Sequence, residues 1–251
     1  MKTVIFSHGD KGGVGKSAVA AIMVDMILKH KGQCGVIDGD VKTSDIYNRY
    51  KDTDGADVIK LQLNYAGAAT VALNKLSEQV DSSNENAFIV VNCPAGAGDT
   101  LDELAELFNE ACDMDNTRMV ASYALGTKEE CAGALAESLK NGLMSFVIPD
   151  NRMILYPLMQ GERSAFPWET DSAKATYKGG VGDIPALTPS FVMQALEKIR
   201  GPLSNAVGRD DIGLTRFARV SVKHWLADCE STLMPLLFPK DKDGGDQDDA
   251  A

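Results

Sequence analysis

Near the N-terminus, KGGVGKS (11–17) gathers three glycines, two lysines and a serine between an apolar run and an amphipathic segment. A glycine-rich loop between a strand and a helix aims backbone N–H groups at an anion, and the helix N-terminus adds partial positive charge. In such a loop Lys16 would reach the β- and γ-phosphates of a nucleotide, and the Ser17 hydroxyl would hold Mg²⁺. The strict pattern G-x-x-x-x-G-K-[ST] fails, because Asp10 stands where its first glycine belongs. Gly12, Gly13 and Gly15 could simply make a tight turn. A turn alone does not account for Gly-Lys-Ser at a strand-to-helix junction. One lysine suffices for a phosphate loop, so Lys11 requires a separate reason.

Two further stretches carry chemistry. VIDGD (36–40) is an apolar run ending in Asp38 and Asp40, and carboxylates at the carboxyl end of a strand beside such a loop can hold metal-bound or attacking water. The alternative is a pair of solvated turn aspartates. FIVVNCPAGAGD (88–99) is an apolar run followed by Asn92, Cys93 and a Pro-Gly loop.

The elements that would position these residues alternate. Strands are predicted over 3–7, 34–40, 57–63, 87–92, 118–125 and 152–158, with a weaker one over 182–187. Val19, Ile22, Met23, Met26 and Ile27 define one helical face, which Gly32 and the basic KHK close. Further helices are expected over 66–80, over 101–112 on the spacing of Leu101, Leu104, Ala105, Phe108, Ala111 and Cys112, and over 127–141, 189–200 and 213–237. The expected fold class is α/β: single-domain, a mostly parallel sheet with helices on both faces. The polar stretch 160–181, with Phe166 and Trp168, reads as a long connection, of a kind that is often functional. Residues 240–251 read as an acidic C-terminal tail after a domain over 1–239.

KGGVGKS resembles the deviant Walker A motif of the ParA/MinD family of ATPases, K-G-G-x-G-K-[ST], which tolerates a residue such as Asp10 before its first lysine. The resemblance implies a P-loop NTPase fold of the SIMIBI type. It implies ATP and Mg²⁺ as cofactors, held by Gly12, Gly13, Val14, Gly15, Lys16, Ser17 and Ala18. It also implies a homodimer formed on ATP binding. Lys11 would reach across that dimer to the partner's phosphates, much as an arginine finger does. VIDGD resembles the family's switch I, so that Asp40 would position or activate water and Asp38 would sit near the metal; Val41 and Lys42 replace its usual Pro-Gln. FIVVNCPAG resembles Walker B and switch II with Asn92 in place of the aspartate. An amide accepts a hydrogen bond there without bringing charge, which points to slow hydrolysis. Asp99 is a nearby carboxylate that could compensate. Catalysis is thus assigned to Lys11, Lys16 and Asp40, and the metal to Ser17, Asp38 and Asn92. The motifs cover roughly the first hundred residues; the chain also resembles the TraL-type ATPases of conjugative plasmids through DGDVKTSD (38–45) and GDIPALTPS (182–190). Tyr156 and Pro157 stand where the family often has an adenine-reading Asn, so the base contacts stay open.

Such a protein would act as a nucleotide-dependent dimer switch in plasmid or chromosome partition or cargo positioning, with a protein partner that stimulates or reads it. The alternatives are an accessory ATPase of conjugative DNA transfer and a non-hydrolysing, nucleotide-dependent interaction protein. The wider relatives include nitrogenase iron proteins, for which Cys93 is the one candidate cluster ligand, and amidotransferase-type synthetases, for which the chain leaves little room. Its 251 residues, 44% hydrophobic, suit one well-cored domain. A net charge of −11 disfavours unaided binding to DNA or anionic membrane. The acidic tail after the last helix disfavours membrane further, and Val222, Trp225, Leu226, Cys229, Leu233 and Leu236 are expected to pack on the sheet. Arg216, Arg219 and Lys223, with Lys198, Arg200 and Arg209 nearby, offer a stripe for non-specific DNA; a solvated helical face is the alternative. Five scattered cysteines without a C-x-x-C pair argue against a disulfide framework or zinc, and for a cytoplasmic protein.

Overall fold

The computed structural model describes residues 1–63 and 69–239. Seven strands form one all-parallel sheet: β1 (Thr3–His8), β2 (Cys34–Asp38), β3 (Ala56–Lys60), β4 (Phe88–Asn92), β5 (Arg118–Ala124), β6 (Arg152–Pro157) and β7 (Gly180–Ile184), in the order β3-β2-β4-β1-β5-β6-β7. The chain moves outward from β1 to β3, returns to insert β4 beside β1, and then builds the other half. The strand order therefore reverses around β1. In open α/β sheets the crevice at such a reversal, beyond the carboxyl ends of the strands, is where ligands bind.

Alternation along each strand feeds two cores. Ile5, Val36, Val90, Val120 and Leu155 face one layer, while Val4, Phe6, Ile37, Val91 and Ile154 face the other. Burial on both faces is why these strands read as continuous apolar runs. The first layer holds α1 (Lys16–Lys31), α2 (Asp45–Tyr50), α8 (Phe191–Glu197), α9 (Asn205–Gly208) and α10 (Arg216–Leu237). The second holds α3 (Ala69–Ser82), α4 (Gly98–Glu103), α5 (Ala105–Met114), α6 (Glu129–Asn141) and α7 (Leu143–Phe146).

Helix α1 begins after Gly15 in left-handed backbone at φ 97° and stops at Gly32, φ 75°, whose N–H bonds to the Leu28 carbonyl. Ala20, Ala21 and Val24 are buried along with the predicted apolar face. The segment 196–203 crosses over α1 and covers its outer side: Asp25 accepts hydrogen bonds from Tyr50 of α2 (2.5 Å) and from the Leu203 amide (2.6 Å). Arg49 of α2 donates to the Leu196 carbonyl at 2.7 Å, closing the same bridge.

Several boundaries differ from the sequence reading. Strand β2 ends at Asp38, so Asp40 lies in the following turn rather than on the strand. The helix expected over 101–112 is two, α4 and α5, because Leu104 leaves helical geometry at φ −121°, ψ 18°. The helix expected from 66 starts at Ala69; residues 66–68 lie outside the described part, as does the acidic tail 240–251. The 160–181 stretch forms short 3-10 turns whose Phe166 and Trp168 are 1% exposed in the second core. Val222, Trp225, Cys229, Leu233 and Leu236 are buried in the first core, with Leu226 half-buried. All five cysteines are free and buried. No helix among the described residues is long and apolar enough to cross a membrane.

Candidate functional site: a phosphate loop over a mixed cavity

The loop after β1 is tied down from below. Ser7 donates to the Lys16 carbonyl at 2.8 Å, the Cys93 amide bonds to the Ser7 carbonyl at 3.1 Å, and the Gly96 amide bonds to the Asp10 carbonyl at 3.1 Å. Val14 is buried against Gly9 and Gly126 and anchors the loop instead of lining the cavity. Gly13 and Gly15 adopt left-handed backbone at φ 77° and 97°, where any side chain would be strained. Gly12 and Gly13 are exposed, so the loop presents bare main chain.

The loop opens on a cavity of about 700 Å³ lined by Gly12, Gly13, Gly15, Lys16, Ser17 and Ala18. Asp40, Thr43, Asp45 and Ile46 form a second wall, and Asn92, Cys93, Pro94 and Ala95 a third. A fourth wall was not foreseen: Met159, Met193, Leu196, Leu203 and Trp225, with Arg49 and Arg200. It comes from α8, the crossing segment, α10, α2 and the turn after β6, brought there by long-range packing that leaves no local signal in sequence. Trp225 is fixed in it by donation from its indole N–H to the Pro185 carbonyl at 2.8 Å.

The two lysines part company. Lys16 is buried, and its ammonium donates to the Lys11 carbonyl at 2.6 Å. Burial lowers its pKa, and no carboxylate among the described residues lies within ion-pair distance of it. Lys11 is half-exposed, sits 3.2 Å from Asp10 and 3.9 Å from Glu130, and does not line the cavity. Its bond to Asp10 raises its pKa.

The carboxylates separate as well. Asp38 is fully buried and spends both oxygens on the chain: Oδ1 accepts from the Asp40 amide (3.2 Å) and from Asn92 Nδ2 (3.0 Å), and Oδ2 from the Tyr47 amide (2.9 Å). Burial raises its pKa. Asp40 lines the cavity, and its Oδ1 accepts from the Lys42 (3.1 Å) and Thr43 (3.3 Å) amides. Partial desolvation pushes its pKa up, but the bonds from Thr43 and Lys42 outweigh it and leave the carboxyl below its ordinary value. Asn92 is 1% exposed, and its Oδ1 has no partner; that atom and His8 Nδ1 are the unpartnered buried side-chain polar atoms among the described residues. The side chain of Asp99 lies outside the described residues. Cys93 is buried, and desolvation drives its thiol up to about 12.

The residues named for DNA are spread over α10 and its flank. Arg219 pairs with Asp210 and Arg209 with Asp211 at 2.5 Å, so two of the cations are locally neutralised. Arg200 donates to the Asn48 carbonyl at 2.6 Å. Arg216, Lys223 and Lys198 are exposed.

No protein-family profile matches the chain, and no characterised protein matches it in sequence. Solved structures do. A nucleotide-binding protein of Archaeoglobus fulgidus in complex with ADP aligns over 78% of this chain and 86% of its own, at 14% identity and a TM-score of 0.50. The cell division ATPase MinD of Pyrococcus furiosus aligns over 90% of this chain and 99% of its own, at 18% identity and a TM-score of 0.44. A protein assigned to plasmid partition in Borrelia burgdorferi B31, bound to AMPPNP, aligns over 90% and 98%, at 11% identity and a TM-score of 0.47. The first of these shows that the chain shares its fold, a single-domain α/β architecture with one parallel sheet between two helical layers.

Proposed function

We propose that the chain is an ATPase of the ParA/MinD type that binds Mg·ATP in the cavity and uses occupancy to control self-association. The observation that carries this reading is Lys16: a buried cation at a glycine loop of exposed main chain, with no carboxylate among the described residues within ion-pair distance and only the longer-range fields of Asp10 and Asp40. A buried charge without a close counter-ion is costly, and a triphosphate bound along the loop would supply one. The apolar wall of Met159, Met193 and Trp225 would then receive the base.

Asn92, whose buried Oδ1 has no partner, and Ser17 both line the cavity and fit a hydrated Mg²⁺ held mainly by phosphates. The ion would supply neutralisation of phosphate charge. Lys16 would hold the β- and γ-phosphates, the loop amides would orient them, and Asp40 would accept a hydrogen bond from water at the cavity mouth. The absence of a carboxylate at Asn92 supports slow turnover, and equally supports a second reading in which occupancy alone is the signal.

Lys11 points away from its own cavity, which supports a role in trans at a neighbour's site. The working role that follows is a dimer switch for partition or cargo positioning, or an accessory ATPase in DNA transfer. Sedimentation velocity with a slowly hydrolysed ATP analogue should convert wild type to dimer. Lys11→Ala should bind the analogue as monomer and fail to dimerise. A wild type that stays monomeric with nucleotide bound, or a Lys11→Ala variant that loses binding and dimer together, would overturn the trans role.

A further inference from the structure

Two helix faces on opposite sides of the sheet carry exposed apolar side chains, and their charges are opposite. A single exposed apolar residue needs no explanation. Met114, 91% exposed, and Phe217, 73% exposed, are the most exposed large hydrophobic residues among those described, and neither stands alone. On α5, Met114 shares a stripe with Leu107, which is 59% exposed. On α10, Phe217 lies one turn before Val220, which is 52% exposed.

Charge borders both stripes. At 3.6 residues per turn, Glu106, Glu110 and Asp113 form one edge of the α5 stripe, and Arg216 and Lys223 form the same edge of the α10 stripe; all five are exposed. None of the five makes an ion pair among the described residues. The two faces share one pattern with opposite sign. Glu106-Leu107 recurs seven residues later as Asp113-Met114, and Arg216-Phe217 recurs as Lys223-His224. Seven residues span about 10 Å of helix, so the charges on the two faces are equally spaced.

Handedness selects one way of pairing them. Viewed along the chain direction, both stripes carry charge on the same side. Parallel helices set face to face would oppose charge to apolar side chains, whereas antiparallel helices oppose charge to charge. With Glu110 centred on Val220 in an antiparallel pair, Glu106 falls opposite Lys223, Asp113 opposite Arg216, and Phe217 between Leu107 and Met114. The two stripes cannot meet within one chain. Helix α5 packs in the second core through Phe108 and Cys112, and α10 in the first through Val222, Trp225 and Cys229, with the sheet between them.

We propose that the occupant of each face is a second copy of this chain, with α5 of one copy docked antiparallel on α10 of the next. Each copy in such a pair keeps one unused face, so the contact is heterologous and propagates head to tail. It needs no nucleotide and does not rest on the nucleotide reading. The net charge of −11 opposes association of copies. A contact between two such stripes also belongs to the small, weak class of interface, below about 1,200 Å². Association is therefore expected at high protein concentration.

Sedimentation of the full chain in EDTA without nucleotide, across a concentration series, tests this. The average mass of wild type should rise past that of a dimer. Arg216→Glu with Lys223→Glu, and separately Glu106→Lys with Glu110→Lys and Asp113→Lys, should each weaken association by about 10-fold or more, because attraction across the contact becomes repulsion. The second set is the sharper arm, since it lowers the net negative charge and with it the general repulsion between copies. An equimolar mixture of the two sets is again opposite in sign at both contacts and should associate as wild type does. A wild type that stays monomeric or stops at a dimer would overturn the proposal, and duplex DNA bound through Arg216 and Lys223 by a monomeric chain would assign the α10 face to DNA instead. Either set associating like wild type, or a mixture of variants shown by circular dichroism to be folded that does not associate, would overturn it as well.

Discussion

The loop after β1 and the connection after β6 are both glycine-containing, polar by sequence and set at the carboxyl ends of parallel strands, yet they end in opposite states. The connection closes on itself. Tyr156 donates to Glu169 at 2.6 Å, Lys174 pairs with the same carboxylate at 2.8 Å, and Arg163 pairs with Asp183 at 2.7 Å while its guanidinium covers the Tyr156 ring. Phe166 packs edge-on against Tyr156 at 5.2 Å, and Trp168 against Tyr177 at 6.3 Å. The loop after β1 does the reverse: its main chain is exposed, its buried lysine makes no ion pair among the described residues, and His8 Nδ1 and Asn92 Oδ1 beneath and beside it have no hydrogen-bond partner. Length and polarity mark both stretches as candidates. What separates them is whether their polar groups are satisfied by the chain, and an unsatisfied set is what a ligand can complete.

Variants can break this contrast from either side. The largest expected effect is on the connection: Trp168→Ala should cost about 3–5 kcal/mol of unfolding free energy, as deletion of a buried aromatic side chain does. Denaturant titration checks this, and nucleotide affinity of the folded fraction should be unchanged. A loss of binding without loss of stability would make the connection part of the site.

His8 lies under the loop, fully buried against Tyr123 at 5.0 Å. Burial, helped by Lys16, lowers its pKa from 6.5 to about 4. The unfolded chain therefore takes up a proton near pH 6.5 that the folded chain refuses until about pH 4. The stability associated with neutral His8 is complete above pH 6.5 and is lost as pH falls to about 4, by on the order of 3 kcal/mol. His8→Phe should flatten stability against pH across that window, as thermal melts would show; an unchanged slope would place the acid sensitivity elsewhere.

A smaller effect is expected at Gly15. Alanine there must take left-handed backbone, which costs about 1–2 kcal/mol, and its Cβ would lie 3.6 Å from Pro157 at the loop's edge. Gly15→Ala should lower ATP affinity by more than its stability loss alone explains, measured by titration at a temperature where the chain stays folded. The smallest effect is Tyr156→Phe, which removes one hydrogen bond to Glu169. It should cost about 1 kcal/mol in denaturant titration and leave binding untouched.

The sequence carried the parallel α/β class and the loop because both are local. Val4-Ile5-Phe6 is continuous apolar sequence because both of its faces are buried, and Gly15 and Lys16 sit where strand meets helix. The break at Leu104 was not legible, since an amphipathic spacing continues through it. The fourth cavity wall was not legible either: Met193 and Trp225 share a cavity with Lys16 through long-range packing, of which the tie of the 196–203 segment to Asp25 and Arg49 is one part. Asp38 and Asp40 read as equivalent carboxylates two positions apart. The period of a strand puts both on one face, but β2 stops at Asp38, and the turn beyond it sends Asp40 to the cavity while Asp38 stays beneath. The packing of the 160–181 stretch was not legible for a related reason. Its two aromatics, isolated in a polar background, are the anchors of a packed cover.

The central claim is that the cavity over the β1 loop binds a nucleoside triphosphate through Lys16. Isothermal titration of ATP into the full chain with Mg²⁺, beside Lys16→Ala under the same conditions, tests it most directly. Saturable binding at one nucleotide per chain in the wild type, abolished in a Lys16→Ala variant that remains folded, is the result expected. Equal affinity in the two proteins, or no binding by the wild type, would contradict it.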